Sequence, residues 1–205
     1  MKNPLNYQMT EYDCGPTTLM NAISYLFDRE RISPDILKNI MMYCLDSYNG
    51  KGEAYKRGTS DTAMWFIANW LNQFGRVRKF PVECKVVSGP NVRINANSEV
   101  MYCLQQKGVV IAKVMLENWH YVLLTDADED FVYLFDPYFR KRRYSTAGIE
   151  KIEGFPQKMN CRVRREFMNR ISRYHYSLGP YDLRAAILMY NKETRLTADT
   201  IEYII

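Results

Sequence analysis

The chain has 205 residues, 47% of them hydrophobic, and a formal charge of +5. That length and composition suit one compact domain spanning 1–205 and exclude a disordered or fibrous chain, while the mild basicity permits acidic partners without requiring them. The opening residues Met1 to Gln8 lack the apolar run of a secretory signal, and the most apolar stretch, Gly108 to Leu116, is broken by Lys113. Both exclude the usual export and membrane-spanning signals, so a cytoplasmic protein without membrane partners is expected.

Pro16, followed by Leu19, Ala22, Ile23, Leu26 and Phe27, predicts an amphipathic helix starting at or just after Cys14. Ser33-Pro34 repeats a cap-then-proline signal ahead of a second helix with Ile36, Leu37, Ile40, Met41 and Cys44 on its stripe. Asn49 to Gly58, polar and glycine-rich, reads as a mobile loop suited to a lid. Thr59-Ser60-Asp61 should cap a third helix that stops at Gly75.

From about residue 76 the pattern turns to strands. Val77 to Val86 begins it, and a short fourth helix from Ser98 to Lys107 follows. Val109 to Leu116, His120 to Thr125 and Phe131 to Phe135 read as adjacent antiparallel strands, with further strands near Cys161 to Arg165 and Arg184 to Tyr190. Helices over about 1–75 and mainly strands over 76–205 make an α+β domain.

The five cysteines, at 14, 44, 84, 103 and 161, are an odd number at wide spacing. Free thiols are expected, and neither they nor the two histidines stand at zinc-ligand spacings, so no metal and no cofactor are expected. Cys14 differs from the other four because it opens a helix, where unpaired N–H groups and the helix dipole favour a thiolate. Asp13 beside it would oppose that charge unless its carboxylate caps the helix, the role expected for it.

The acidic turn Asp126 to Asp130 separates two strands and implies a hairpin. Centred on Asp128, it pairs His120 with Asp136, Val122 with Leu134, Leu124 with Val132 and Tyr121 with Phe135. Cβ atoms directly opposite each other lie roughly 4.5–5.5 Å apart, close enough for imidazole and carboxylate to share a hydrogen bond. A thiol, a base and a group that orients the base are the parts of nucleophilic acyl transfer. His175 has no carboxylate in reach of any such hairpin and reads as structural.

Gln8-Met-Thr-Glu-Tyr-Asp13-Cys14-Gly15-Pro16 resembles the nucleophile motif of the bacteriocin-processing, double-glycine-cleaving cysteine peptidases, a papain-like group. Trp119-His120-Tyr-Val-Leu-Leu and Phe135-Asp136-Pro137 resemble that family's His and Asp motifs in the same chain order. The likeness runs from about Tyr7 to Tyr138, in a stand-alone form without a transporter domain. Thr17-Thr18 depart from the smaller or apolar residues common there.

The resemblance implies a papain-like fold and a thiol protease: Cys14 as nucleophile, His120 as base, Asp136 as orienter and Gln8 as oxyanion donor. It also implies a peptide or protein substrate, cleaved after small residues such as Gly-Gly. A related amidase or acyltransferase, and a catalytically idle peptide-binding module, are the alternatives. The basic run Arg140-Lys-Arg-Arg143 reads as a solvated loop that attracts acidic or C-terminal carboxylate groups rather than as a nucleic-acid site.

Overall fold

The computed structural model describes residues 3–142, 144–197 and 200. Three helices come first, α1 (Cys14–Leu26), α2 (Pro34–Tyr43) and α3 (Asp61–Arg78). Their starts follow local chemistry. The Ser33 side chain accepts from the Asp35 N–H, and the Ser60 side chain accepts from the Ala63 N–H, so each serine satisfies a donor left open by its helix. α3 overruns the stop expected at Gly75, and Val77 rides its last turn, exposed. Gly75 has a different use: an added Cβ would meet the Phe80 carbonyl oxygen at 2.8 Å, so the bare backbone lets the departing chain fold back on the helix. The left-handed residue after α3 is Lys79, at φ 52°.

The remaining described elements are β1 (Val82–Ser88), α4 (Glu99–Gln105), β2 (Val109–Met115), β3 (Trp119–Ala127), β4 (Phe131–Phe135), β5 (Ile149–Lys151), β6 (Cys161–Arg164), the single-turn α5 (Arg165–Met168) and β7 (Ala185–Asn191), with three short 3-10 turns between elements. The seven strands form one antiparallel sheet in the order β1-β7-β2-β3-β4-β6-β5. The architecture is α+β, with β5 and α5 beyond what periodicity predicts. β7 inserts between β1 and β2.

Alternation along the central strands divides the core into two layers. Val109, Ile111, Leu123, Ile187 and Met189 pack against Leu19, Ile23, Ile67 and Leu71 of the first helices. Their neighbours Val110, Ala112, Val122, Leu124 and Leu188 face the opposite way, onto Val100 and Leu104 of α4 and onto Tyr176 and Leu178. β2 and β7 are therefore buried along their whole length, which explains their unbroken apolar sequences. At about 1.5–3 kcal/mol for each large apolar side chain fully buried, both faces contribute heavily to holding the sheet.

The β3–β4 hairpin has a different register from the one expected. Leu124 pairs with Leu134 and Leu123 with Phe135, and a bulge between Leu124 and Asp126 then brings Ala127 opposite Val132. Asp128 causes part of this, because its Oδ1 accepts from the N–H groups of both Asp130 and Phe131 and sets a tight turn. On the His120 side of the bulge the pairing slips by an even step, which leaves those side chains on their expected face.

Candidate active site

Cys14 is the first residue of α1 and is buried. Thr18, one turn along, donates its hydroxyl to the Tyr121 carbonyl at 3.1 Å and so fixes the helix start beside β3. Gly15 permits close packing there, since a Cβ would overlap the Thr59 hydroxyl at 2.5 Å. Further along α1, Asn21 holds both polar groups of the Asn6 backbone, at 2.8 and 2.9 Å.

Asp13 does not cap α1; no side-chain cap bond forms. Its carboxylate turns back instead and accepts from Met9 N (3.1 Å), Thr10 N (2.9 Å) and Thr10 Oγ1 (2.8 Å). The preceding chain doubles over the helix start and offers these donors. The first-turn N–H groups of the helix thus keep no carboxylate of their own, and their field acts at Cys14.

His120 sits near the start of β3, and its Nε2 lies 2.7 Å from Asp136 Oδ1, both groups buried. The contact expected from the hairpin is made, but diagonally rather than between directly opposed residues. Asp136 is held from several sides. Its N–H donates to Asn160 Oδ1 and its carbonyl accepts from Asn160 Nδ2, both at 2.8 Å. Oδ1 also accepts from the Tyr138 N–H at 2.8 Å, and Oδ2 accepts from the Tyr176 hydroxyl.

With Nε2 engaged, Nδ1 is the ring nitrogen left for the Cys14 sulfur, which acts on the imidazole electrostatically. Burial alone would push His120 down. The hydrogen bond and charge of Asp136, joined by those of the Cys14 sulfur, outweigh it and raise the ring to about 10. At neutral pH the imidazole is therefore the charged form, poised between a carboxylate and a sulfur.

The chain is similar to solved double-glycine peptidase domains. A double glycine motif protease from an AMS/PCAT transporter, crystallised with its leader peptide, aligns at 14% identity over 91% of this chain and 91% of that one, with a TM-score of 0.45. The peptidase domain of Streptococcus mutans ComA aligns at 12% identity over 91% and 98%, with a TM-score of 0.42. That of a Streptococcus ComA described as a bifunctional ABC transporter of a quorum-sensing pathway aligns at 14% over the same shares, with a TM-score of 0.46. No protein-family model and no curated protein matches.

Gln8 reaches the same end of the molecule by its backbone, whose N–H donates to the Pro137 carbonyl at 2.8 Å. Tyr7 reinforces that clamp by packing on Phe135 (5.3 Å between centroids) and Phe139 (5.0 Å). The Gln8 amide nitrogen donates to the Thr10 carbonyl at 2.7 Å, and its Oε1 is buried without a hydrogen-bond partner. One amide hydrogen thus remains outside that bond.

The other four cysteines are buried thiols. Burial pushes Cys44 and Cys103 up to about 12, and raises Cys84 and Cys161 further still. The glycine-rich loop is a self-bonded turn: Asn49 Oδ1 accepts from Lys51 N and Glu53 N, and Gly58 passes close to the Tyr12 carbonyl, just before Cys14.

Sequence reasoning did not single out Asn160 or Tyr176. Asn160 precedes β6, and only the β4–β6 pairing brings it to Asp136. Tyr176 has a left-handed backbone at φ 61°, an uncommon state for an aromatic residue and a mark of a position fixed by its surroundings. Buried Arg184 supplies part of that constraint by donating to the carbonyls of Gly179, Asn169 and Val92. Asp61 likewise does more than start α3. It pairs with buried Lys113 at 2.5 Å and accepts from the Tyr121 hydroxyl at 2.7 Å, anchoring that helix to β2 and β3. Among the described residues no three His, Cys, Asp or Glu side chains converge as a metal site, and no helix is long and apolar enough to cross a membrane.

Proposed function

We propose that this chain is a cysteine peptidase using Cys14, His120 and Asp136, with Gln8 assisting at the oxyanion. The observation that carries the reading is the chain of contacts from the helix-start thiol through the His120 ring to the buried Asp136 carboxylate. Attack of the Cys14 sulfur on a peptide carbonyl forms the carbon–sulfur bond and a tetrahedral oxyanion. The Cys14 backbone N–H and the remaining Gln8 amide hydrogen are the donors for that charge. Collapse breaks the C–N bond as His120 gives its proton to the leaving amine, and water attacking the thioester, with His120 now as base, releases the acyl group.

The charge balance around the ring suits this order of events. Part of what keeps His120 protonated is the hydrogen bond and charge of the Cys14 sulfur. Attack converts that sulfur into a neutral thioether and then a thioester, so the imidazolium loses a stabilising partner and becomes the stronger acid when the amine needs a proton. Asp136 stays ionised throughout and keeps the ring oriented.

The substrate is a peptide or protein with small residues such as Gly-Gly before the cleaved bond. A peptide library digested by wild type and Cys14→Ala tests both parts of this. Wild type should cut after small residues and Cys14→Ala should be inert; equal cleavage by the two would refute the mechanism. Iodoacetamide gives an independent reading: one adduct should form fast on Cys14 and at least tenfold more slowly in His120→Ala, the order of one pKa unit of lost ion-pair stabilisation. A thiol that reacts no faster than a buried one would instead indicate a non-catalytic peptide-binding module.

A further inference from the structure

Behind Asp136, on the side away from His120, lies a cavity of about 310 Å³. Arg140, Lys141, Arg142 and His175 line it together with the hydroxyls of Ser145 and Thr146, and no carboxylate among the described residues does. None of its three cations forms an ion pair with a described residue. Arg140 is the best-defined of them, its guanidinium lying 5.3 Å from the Tyr138 ring and 5.4 Å from the Tyr144 ring, with a buried Nε that has no hydrogen-bond partner. A buried donor without a partner is costly, so this arginine is held in position at an energetic cost that a ligand would relieve. Arg143, the fourth basic residue of the run, lies outside the described residues.

The cavity also touches the reaction centre. Tyr144 donates to or accepts from Tyr176 at 2.5 Å, and the same Tyr176 hydroxyl donates to Asp136 Oδ2. Both Asp136 oxygens are thereby occupied by His120, Tyr138 and Tyr176, so Arg140 feels the Asp136 charge without pairing with it directly.

We infer that the Arg140 cavity binds an oxyanion, a carboxylate or a phosphate, and that its occupancy is transmitted to His120 through Tyr176 and Asp136. The volume fits one such group with a short stem, and the planar fork of arginine beside hydroxyl donors is suited to it. The transmission rests on the reading of His120 and Asp136 as the working pair; the binding does not. His120 faces Asp136 and Cys14, and Asp136 in turn faces Tyr176, Tyr144, Cys161 and Arg140. Neutralising Arg140 removes a positive charge that acts on Asp136, which strengthens that carboxylate's hold on the imidazole, so His120 keeps its proton to higher pH.

The chain has two histidines, one in each place, which makes the test direct. The full chain labelled with ¹⁵N-histidine is titrated with inorganic phosphate at constant ionic strength, and both imidazoles are followed by NMR. Saturable shifts of His175 and an upward move of the His120 titration are expected in wild type. Arg140→Met should lose both, whereas Tyr176→Phe should keep the first and diminish the second. Should Arg140→Met fail to fold, Arg140→Lys keeps the charge without the fork and should weaken phosphate several-fold. A peptide with a free C-terminal carboxylate, run against its amide, separates the two sources: carboxylate-dependent binding identifies the terminus of a peptide, and binding of phosphate alone identifies a free anion. Absence of a saturable His175 response to either probe, an undiminished response in Arg140→Met, or a saturated site that leaves His120 unmoved would overturn the inference. None of these readouts needs turnover, so a chain without peptidase activity still gives an answer.

Discussion

Two cysteines stand within the electrostatic reach of Asp136, and what separates each from that carboxylate makes them chemically different. Between Asp136 and Cys14 lies the His120 ring, positively charged at neutral pH and in contact with the sulfur, which itself opens a helix. Around Cys161 the neighbours are phenols and a more weakly acting arginine; burial raises the thiol and the Asp136 charge raises it further, with Tyr144, Tyr176 and then Arg140 opposing. A carboxylate near a thiol suppresses its ionisation unless a cation is interposed. The front of Asp136 is thus built to move a proton and the back to keep one in place.

Asp136→Asn should disturb this contrast most. The amide keeps the shape but not the charge, so the front loses the partner that orients and stabilises the imidazolium. Turnover is expected to fall by about 10⁴, read as kcat on the best library peptide. Gln8→Ala comes next, with a fall of roughly 10² to 10³ in kcat and little change in KM, because the amide serves only the charge that forms during reaction. An unchanged kcat would remove Gln8 from the mechanism.

The third test is pH. His120 titrates near 6.5 when unfolded and at about 10 when folded, so the folded chain binds the extra proton between those values. The stability this contributes is complete below about pH 6.5 and is lost as pH rises through 10, at up to about 1.4 kcal/mol per unit. Urea denaturation of wild type and His120→Gln should show a gap that narrows from pH 6.5 to 10. A constant gap would mean that no such proton is held.

Tyr176→Phe should have the smallest effect, on the back alone. It removes one hydrogen bond to a charged group, worth about 1.5–3 kcal/mol in denaturation. Cys161 should remain unreactive to iodoacetamide in the folded variant, since burial is the larger cause of its inertness.

Much of the front was legible because its signals are local or survive an error. Cys14 follows from a proline-marked helix start. The His120–Asp136 contact followed from a hairpin whose assumed register was wrong, yet a slip by an even step keeps both side chains on one face and long enough to meet. The Asp128 turn shifts the register and the bulge at Thr125 brings the shift back to an even step, and that bulge has no sequence mark as plain as a glycine. The Asp13 cap failed for another reason: a carboxylate at a helix start chooses among nearby N–H groups, and the local turn that brings Met9 and Thr10 back to it carries no glycine or proline to announce it. The back was illegible, because Tyr176 reaches Asp136 across a long sequence separation from a left-handed position that nothing in Tyr174-His-Tyr176 announces.

The insertion of β7 between β1 and β2 has a consequence for biosynthesis. A ribosome delivers these strands from first to last, yet the strand that joins one edge of the sheet to the rest emerges after all the others. Until Ala185 to Asn191 arrives, β1 and β2 have no partner between them and expose the edges that invite mispairing. The first helix packs on β2, β3 and β7 together, so the layer that carries Cys14 gains its complete support only once that inserted strand has joined the sheet.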